Sequence, residues 1–390
     1  MKKMLILIHT LNGGGAEKVL VNLVKHINKE KYDITVMTIV NEGIYIKDIL
    51  ETKGVKYRYM FNSYLKKSRK KKRKIAIKIM NTIWSGYKWY IKHIFNEKSY
   101  QHFIKEKYDI EVAFLEGMCA KIISKSPNKK SKKVVWIHTD LTVLKKSSLA
   151  FRDPQEEKDC YKKFNKVICV SNGVKDTFIK KMGFSENIIT KINPINSREI
   201  IEKSNEVVED MTRDNDFLIC SVGRLIPEKG YDMLIRCHKR LLENGLKNKL
   251  WIIGEGIERA NLEKYIKANK LEDTVKLIGF KNNPYKYMKM ADLFVCSSKV
   301  EGLSTVLCEA IILNKPIVTT NCPGVSDIIG ASENGAIITD NDEDSLYNGM
   351  YRVINDKKLY QVLLERVKER SKKFVIEKQV RDIEKTLRRL

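Results

Sequence analysis

The sequence lacks several features that would define whole classes of protein. None of its eight cysteines forms a Cys-x-x-Cys pair, which argues against a zinc site or a disulfide framework and favours buried thiols in a reducing cytosol. No stretch reaches the ~18 uninterrupted apolar residues of a membrane span, and the first apolar run is too short for a signal peptide. With 43% hydrophobic and 31% charged residues, the 390-residue chain is predicted to be globular, with two domains.

Acidic residues are scarce in the first half of the chain. The net charge is +26, of which +23 lies in residues 1–200 and +3 in residues 201–390. A uniform lysine-rich bias would raise both halves alike, so the asymmetry points to an anionic partner such as phospholipid, nucleic acid or a phosphorylated substrate. No recognised nucleic-acid-binding module accompanies the charge, and we therefore expect no nucleic-acid partner.

The beginning of the chain predicts a β-α-β unit. An apolar run at residues 4–9 ends in the glycine-rich turn 12–15, and apolar residues at helical spacing follow as far as Ile27. A second apolar run, residues 34–39, completes the unit. Runs that are apolar on both faces indicate a parallel sheet covered by helices on both sides. Further strands are predicted at residues 110–114, 133–137 and 167–170.

The second half repeats this pattern. Residues 217–222 are predicted to form a strand, and a Gly-Arg loop leads from it to a helix around residues 233–242. The other strands predicted here are residues 250–253, 275–278, 293–296 and 317–319. We therefore expect an α/β protein of two Rossmann-like domains, residues 1–200 and 201–390, that face a central cleft. A ligand would bind in that cleft, and the last helix would pack back on the N-terminal domain.

Residues 66–107 interrupt the first domain. Eight of the nine residues at positions 66–74 are basic, and an apolar stripe at helical spacing follows them. Aromatic residues flank the stripe, as in amphipathic helices that lie at a lipid headgroup boundary. We interpret the insertion as a membrane contact made by Lys70, Lys71, Lys72, Arg73, Lys74, Trp84 and Trp89. The alternative is a solvated loop followed by an ordinary packed helix.

The segment 221–230 carries a first candidate for chemistry. A predicted strand delivers Gly223, and Arg224 and Lys229 follow on the loop that leads to a helix. Glycine allows a close approach of the backbone, and two cations so placed can clamp a diphosphate leaving group. Alternatively, the two cations are surface charges and the glycine only forms a turn.

The segment 301–310 carries a second candidate. Glu301 lies in a loop after an apolar run, and Glu309 lies two turns along the helix that this loop opens. The backbone amides of residues 302–305 stand at the positive end of that helix, where anions bind. A capping glutamate and an exposed glutamate would be the alternative, but the apolar residues between them argue against it.

Together the two segments resemble the signature of retaining, nucleotide-sugar-dependent glycosyltransferases of the GT-B architecture, glycosyltransferase family 4 (glycosyl transferases group 1). The matching residues are G-R-L-x-x-E-K-G at 223–230 and E-G-L-S-x-V-L-x-E-A at 301–310. Weaker matches occur in the same order along the chain, at residues 13–17, 136–140, 170–172, 253–256 and 277–280. The resemblance therefore extends over most of the sequence.

The resemblance implies a role for each matching residue. Arg224 and Lys229 would bind the donor pyrophosphate beside Gly223, and Glu309 would accept hydrogen bonds from the ribose hydroxyls. Glu301 would hold hydroxyls of the donor sugar, and His138 would lie beside the anomeric carbon. The catalytic residues implied in this way are His138, Glu301, Arg224 and Lys229. The resemblance adds further donor-binding residues, namely Gly14, Gly15, Phe280 beside the base, Gly302, Leu303, Ser304 and Thr305.

The resemblance also implies the reaction. A hexose or N-acetylhexosamine would move from a UDP-sugar with retention of configuration, and the leaving phosphate would accept the acceptor's proton. No metal or other cofactor would be required, because Arg224, Lys229 and a helix N-terminus supply the positive charge. Glu301 would then position the sugar, whereas the paired-carboxylate chemistry of glycosidases would make it a nucleophile.

The basic insertion extends this expectation to the partners. With it, we expect a lipid-linked acceptor, a role in cell-surface polysaccharide synthesis, and a peripheral position on the cytoplasmic face of the cell membrane. Two alternatives stay open: a non-catalytic module that binds nucleotide sugars or lipids, and a UDP-sugar epimerase of the same architecture. The Asp-Asn-Asp run at 340–342 matches the D-x-D pattern of metal-dependent sugar transferases but is better explained as a helix cap. The Gly-Glu-Gly run at 254–256 lacks the third glycine of a dinucleotide fingerprint.

Overall fold

The computed structural model describes residues 1–62, 85–143, 147–330 and 335–390, which form two compact units. The first unit contains Met1–Pro194 together with Glu377–Leu390, and the second contains Ile195–Ile376. Six residues of the predicted membrane contact lie outside the described residues, namely Lys70, Lys71, Lys72, Arg73, Lys74 and Trp84. Within the described ranges, no helix is long and apolar enough to cross a membrane.

The first unit is built on a parallel sheet of seven strands. The strands are β1 (Lys2–Ile8), β2 (Tyr32–Asn41), β3 (Val55–Asn62), β4 (Ile110–Ala113), β5 (Lys132–Ile137), β6 (Lys166–Cys169) and β7 (Ile188–Thr190), and their order is β3-β2-β1-β4-β5-β6-β7. The helices of this part of the chain are α1 (Gly15–His26), α2 (Ile46–Glu51), α3 (described over 85–93), α4 (Glu97–Phe103), α5 (Met118–Ser124), α6 (Pro154–Lys162) and α7 (Asn172–Met182). Because the strands are parallel, the loops that follow them share one edge of the sheet, which we call the carboxyl edge.

The sequence of the first unit explains why its central strand and first helix are buried. All five residues 4–8 of β1 are buried, as are residues 19–24 of α1. A strand without an exposed face fits only the interior of a sheet that is covered on both sides. The predicted parallel sheet is therefore confirmed for this unit.

The second unit is built on a parallel sheet of six strands. The strands are β8 (Phe217–Val222), β9 (Asn248–Ile253), β10 (Val275–Gly279), β11 (Leu293–Cys296), β12 (Ile317–Thr320) and β13 (Ala336–Thr339), in the order β10-β9-β8-β11-β12-β13. Its helices are α8 (Ser197–Ser204), α9 (Tyr231–Glu243), α10 (Arg259–Ala268), α11 (Tyr285–Met290), α12 (Thr305–Ile312), α13 (Val325–Ile329), α14 (Glu343–Asn355) and α15 (Lys357–Ser371). Each sheet places its first three strands in the order third, second, first, and then continues with the fourth, as in Rossmann folds. The predicted α/β class with two Rossmann-like sheets is confirmed.

A buried histidine ties α9 to the sheet of the second unit. His238 is fully buried, with Nδ1 2.6 Å from Asn248 Oδ1 and Nε2 3.0 Å from Thr274 Oγ1. Burial lowers the pKa of His238 to about 4, although the hydrogen bond to Asn248 opposes this shift. The imidazole is therefore neutral at pH 7 and acts as a packing residue with both nitrogens satisfied.

The last helix of the chain, α16 (Ile376–Arg388), returns to the first unit from Glu377 onwards. Glu384 is only 4% exposed and accepts the backbone N–H of Asn28 at 2.7 Å. Lys191 pairs with Asp382 at 2.6 Å. These contacts join the end of the chain to the turn before β2 and to the residue that follows β7.

Two smaller predictions are also confirmed. All eight cysteines are free and buried. Asp342 caps α14, because its side chain accepts the backbone N–H of Ser345 at 2.8 Å.

The described residues contain no group of three or more His, Cys, Asp or Glu side chains that could hold a metal ion.

Candidate functional site

The two motif segments meet the carboxyl edge of the second sheet at its centre. β8 lies between β9 and β11, so the direction of strand progression changes there. The segment 223–230 follows β8, and the segment 301–310 follows β11. Open α/β sheets bind their ligands at the carboxyl ends of strands at such a switch point. The fold therefore brings together two segments that lie more than seventy residues apart in the sequence.

Glycine at position 223 leaves room for side chains that fold over it. After β8 the chain forms a 3-10 turn at Pro227–Lys229 and enters α9 through Gly230, whose φ of 62° is left-handed. A Cβ atom at Gly223 would lie 2.7 Å from the Tyr231 hydroxyl and 3.4 Å from Cε of Lys229. The turn thus carries the lysine side chain back over the glycine.

The loop after β9 packs backbone to backbone on the same turn. At Gly254, with a φ of 150°, a Cβ atom would collide with the carbonyl oxygen of Gly223, and at Gly256 it would collide with that of Leu225. The N–H of Leu225 donates to the carbonyl of Glu255 at 2.9 Å. The two glycines of the Gly-Glu-Gly run allow this close contact because they have no side chains.

Lys229 and Glu301 form an ion pair between the two motif loops. Their side chains are 18% and 14% exposed, and Ser298 donates its hydroxyl to Glu301 Oε1 at 2.8 Å. Burial, the largest influence, lowers the pKa of Lys229, but the charge of Glu301 leads the effects that outweigh it, so the pKa lies above its usual value. Lys229 is therefore a fixed cation, and its ammonium has N–H groups beyond the one that Glu301 accepts.

Arg224 is the second cation of this loop. Its side chain is exposed, and it forms no ion pair within the part of the chain that the structure describes. Its charge acts on Lys229 and lowers the pKa of that ammonium slightly, against the larger effect of Glu301. Two cations close enough to repel each other attract an anion that binds to both.

The second motif forms the entrance to α12. Residues 302–304 are buried ahead of the first helical residue, Thr305. The first amides of a helix lack partners within the helix, so this end presents N–H groups and partial positive charge. Glu309 is half-buried on the same helix, and Tyr285 donates its hydroxyl to Glu309 Oε1 at 3.3 Å.

Phe280 lies at the carboxyl end of β10, two strands away from β8 in the sheet. Gly279, with a φ of 84°, turns the chain just before it. The ring is 56% exposed, unlike most aromatic rings of this unit. An exposed ring at this edge is free to stack on a planar base.

In the first unit, His138 directly follows β5 at the carboxyl edge. Its Nε2 atom is buried and has no hydrogen-bond partner among the residues that the structure describes. Burial lowers the pKa of His138 to about 4, although a hydrogen bond to the Phe114 backbone opposes this shift. The imidazole is therefore neutral at pH 7, with one ring nitrogen available to a hydroxyl group.

Glu116, which no sequence pattern had singled out, supports this histidine. Its carboxylate accepts the backbone N–H of His138 at 3.0 Å and the hydroxyl of Thr139 at 2.5 Å. Burial raises the pKa of Glu116, and these two hydrogen bonds oppose the shift. The available signal was topological: Glu116 follows β4, which is the neighbour of β5 in the sheet.

The glycine-rich turn follows β1 at the same edge of the first sheet. Gly14 is the N-cap residue of α1, and Gly15 is the first residue of that helix. A Cβ atom at Gly13 would lie 3.3 Å from Cδ1 of Ile44, in the loop after β2. The predicted residues His138, Gly14 and Gly15 thus belong to the first unit, and the other predicted catalytic and donor-binding residues belong to the second.

The described part of α3 also lies at the carboxyl edge of the first sheet. A hydrogen bond of 3.3 Å joins the Tyr87 hydroxyl to His9, which follows β1, and the Tyr87 ring stacks on Phe61 near the end of β3. Trp89, the described member of the predicted membrane contact, is 57% exposed. This part of the insertion is therefore packed at one point while it presents a tryptophan to solvent.

Solved structures identify the architecture. The chain superimposes on Anabaena HepE in complex with UDP with a TM-score of 0.76 at 18% identity, and 100% of each chain is covered. The same protein in complex with UDP-glucose gives a TM-score of 0.74 at 19% identity. With its two Rossmann-like units, the chain has the GT-B fold of glycosyltransferases.

A family match comes from the sequence of the second unit. Residues 202–373 match the family model for glycosyl transferases group 1. The chain is 35% identical over 196 residues to N-acetylgalactosamine-N,N'-diacetylbacillosaminyl-diphospho-undecaprenol 4-alpha-N-acetylgalactosaminyltransferase of Campylobacter jejuni, which covers 50% of this chain and 52% of the relative. It is 27% identical over 200 residues to the capsular polysaccharide biosynthesis glycosyltransferase CapM of Staphylococcus aureus, which covers 50% and 51%. The matches thus span about half the length of these curated relatives.

Proposed function

We propose that this protein is a retaining glycosyltransferase of family 4 that moves a hexose or N-acetylhexosamine from a UDP-sugar to a lipid-linked acceptor in cell-surface polysaccharide synthesis. The observation that carries the proposal is the Lys229–Glu301 ion pair at the switch point of the second sheet. Glycines allow the loops around this pair to pack closely. The ion pair supports a site in which a fixed cation would bind the diphosphate beside a carboxylate that would bind sugar hydroxyls.

The cations of the loop would stabilise the leaving group. As the bond to the sugar breaks, negative charge grows on the nucleotide diphosphate, and Arg224 and Lys229 would neutralise it together with the amides at the start of α12. In this proposal the reaction needs no metal, because these groups supply the charge that a cation supplies elsewhere. Turnover that continues in the presence of EDTA would support this part, and turnover that requires added Mg²⁺ or Mn²⁺ would refute it.

The carboxylates would position the donor. Glu309 would accept hydrogen bonds from the ribose hydroxyls, and Phe280 would stack on the base. Glu301 and the amides of residues 302–305 would hold the sugar hydroxyls, and the leaving phosphate would accept the acceptor's proton. Glu301 would be a positioning group, and its Oε1 atom, which accepts from both Lys229 and Ser298, is already held in place.

His138 would contribute a neutral hydrogen-bonding group. Because burial keeps the imidazole uncharged and its Nε2 has no partner among the described residues, it suits a sugar hydroxyl better than a phosphate. Gly14 and Gly15, at the turn into α1, would let donor phosphate and acceptor approach the backbone.

The nature of donor and acceptor is inferred from similarity. HepE was solved with UDP and with UDP-glucose, which supports a UDP-sugar. The Campylobacter jejuni relative is named for a diphospho-undecaprenol acceptor, and the Staphylococcus aureus relative for capsular polysaccharide biosynthesis. These names support a polyprenyl- or lipid-linked acceptor and a place in cell-surface polysaccharide synthesis.

A peripheral position on the inner face of the cell membrane fits such an acceptor. The net charge of +23 in residues 1–200 and the exposed Trp89 support it. Replacement of Lys70, Lys71, Lys72, Arg73 and Lys74 by glutamine should reduce co-sedimentation with vesicles that contain anionic lipid. Unchanged co-sedimentation would argue against the membrane contact.

The donor assignment is tested by thermal unfolding against UDP, GDP, ADP, dTDP and their common sugar conjugates. A ligand at ~100 times its Kd adds roughly 2.7 kcal/mol of stability, so a UDP-selective rise in Tm is expected. Glu309→Ala should remove that rise. Turnover with a lipid-linked acceptor then separates a transferase from a binding module, which would show no turnover. An epimerase would convert the free UDP-sugar without any acceptor.

A further inference from the structure

Tyr285 holds the carboxylate of Glu309 in the second unit. It is the first residue of α11, its side chain is buried, and its hydroxyl donates to Glu309 Oε1 at 3.3 Å. The backbone N–H of Tyr285 donates to Asn283 Oδ1 at 3.1 Å, and Asn283 Nδ2 donates to the carbonyl of Lys203 at the end of α8. The start of α11 is therefore fixed, and with it the phenol that faces Glu309.

We propose that Tyr285 is a positioning residue that orients Glu309 toward both ribose hydroxyls and thereby makes the site selective for ribonucleotides over 2'-deoxyribonucleotides. The inference rests on the proposed function, in which Glu309 binds the ribose of the UDP-sugar. Tyr285 lies outside both sequence motifs, and the inference assigns it to the nucleotide part of the donor.

The reason is that the carboxylate of a glutamate side chain rotates easily. The last torsion of a glutamate side chain has a broad energy profile, so a half-buried carboxylate needs a partner to fix its plane. A carboxylate oxygen accepts two hydrogen bonds, and Tyr285 uses one position on Oε1. The plane of the carboxylate is then set, so that two adjacent hydroxyls can bind to it together. A ligand that lacks one hydroxyl leaves an acceptor unmet, and sites built in this way reject such analogues.

The same helix supplies a matched control. Tyr287 lies two residues further along α11, is 2% exposed, and donates its hydroxyl to Asp210 Oδ1 at 2.6 Å. Asp210 precedes β8 in the sequence and belongs to neither motif. Tyr287→Phe therefore removes a tyrosine–carboxylate hydrogen bond from α11 and leaves the one between Tyr285 and Glu309 in place.

The experiment is calorimetric titration of the full chain with UDP and with 2'-deoxy-UDP. Wild type is expected to bind UDP at least about tenfold more tightly than 2'-deoxy-UDP. Tyr285→Phe should weaken UDP binding about five- to tenfold, change 2'-deoxy-UDP binding less than twofold, and so erode the preference. Tyr287→Phe should keep both affinities within about twofold, whatever its effect on Tm.

A double-mutant cycle tests whether Tyr285 acts through Glu309. In a Glu309→Gln background, Tyr285→Phe should cause no further loss of UDP affinity, because the oriented carboxylate is already gone. A full additional loss there would overturn the inference, as would equal losses for UDP and 2'-deoxy-UDP or a Tyr285→Phe protein that binds UDP like wild type. Wild type that discriminates poorly between the two nucleotides overturns it without any variant. Wild type that binds no UDP at all refutes the proposed function itself, and the inference with it.

Discussion

The two units prepare the same edge of equivalent sheets in different ways. In the second unit, Lys229 and Glu301 are paired with each other, and Arg224 adds a second cation. In the first unit, His138 has an Nε2 atom without a partner among the described residues, and burial keeps the ring neutral. A buried charge needs a counter-charge, whereas a buried neutral group can wait for a ligand. Under the proposed function, the second unit would bind the charged part of the donor, and the first unit would bind uncharged hydroxyls.

Loss of the Lys229 ammonium should have the largest effect on activity, because it removes the proposed charge of the second unit. Lys229→Ala removes the proposed cation of the leaving group and leaves the carboxylate of Glu301 without its ion pair. We expect kcat/KM to fall on the order of 10³-fold and UDP affinity to fall with it, as measured by UDP release and by titration. Lys299→Ala removes a lysine that is 49% exposed in the same unit and should stay near wild type. Equal activities of the two variants would contradict the assignment.

His138→Ala should distinguish the contribution of the first unit from that of the second. It removes a neutral group of the first unit, so kcat should fall roughly 10²-fold while the Kd for UDP stays unchanged, because UDP lacks the sugar that is transferred. Turnover and UDP titration of the same preparation measure both quantities. A loss of UDP affinity as large as that of Lys229→Ala would show that the histidine serves the nucleotide, and the contrast would disappear.

Gly254→Ala should show that the second unit's site depends on backbone contact. The new Cβ atom would collide with the carbonyl oxygen of Gly223 at a φ of 150°, so we expect a destabilisation of roughly 3 kcal/mol in urea unfolding. Gly245 also has a positive φ, 77°, but nothing lies within 4 Å of its Cβ position. Gly245→Ala should therefore cost only about 1 kcal/mol. Similar costs at both positions would mean that the loop contact contributes nothing.

His238 sets the acid response of the second unit. Its folded pKa of about 4 lies below the usual value of 6.5, so its contribution is complete above pH 6.5 and is lost as the pH falls toward 4. The loss should approach the order of 3 kcal/mol, and His238→Gln should flatten this slope in urea unfolding between pH 6.5 and 4. A slope identical to wild type would show that other groups, such as His9 in the first unit, dominate.

The smallest effect is expected from single exposed apolar residues. Trp89→Ser should reduce partition into anionic vesicles about three- to tenfold, because an interfacial tryptophan contributes on the order of 1 kcal/mol. Ile257, 78% exposed in the second unit, supplies the control. Ile257→Ser should leave partition unchanged if only the first unit contacts the membrane. An effect of equal size from both variants would refute a surface confined to the first unit.

Buried strands were the most predictable part of the fold. The predicted strands 217–222 and 293–296 coincide with β8 and β11, because an unbroken apolar run has few other uses. β3 was missed, since it is an edge strand on which only Met60 is buried, and Lys56 and Arg58 interrupt the apolar pattern. β7 was missed because it has three residues and pairs only with β6.

The candidate site was predictable where its residues are close in sequence. Lys229 lies five residues after Arg224, and Glu309 eight residues after Glu301, so each pair falls within one short segment that also carries the family resemblance. Glu116 and Tyr285 were not predictable in this way. Glu116 reaches His138 because β4 and β5 are neighbours in the sheet, and Tyr285 reaches Glu309 from a different helix; neither contact can be seen in a short window of sequence.

The return of α16 has a consequence for how such proteins can recombine. The second unit, Ile195–Ile376, is flanked on both sides by segments of the first unit, Met1–Pro194 and Glu377–Leu390. A single crossover near Pro194 would give the first unit a foreign final helix, which would have to reproduce the contacts of Asp382 with Lys191 and of Glu384 with Asn28. Exchange of the second unit between relatives should therefore need two crossovers, so that Ile195–Ile376 is replaced while both flanking segments come from one parent.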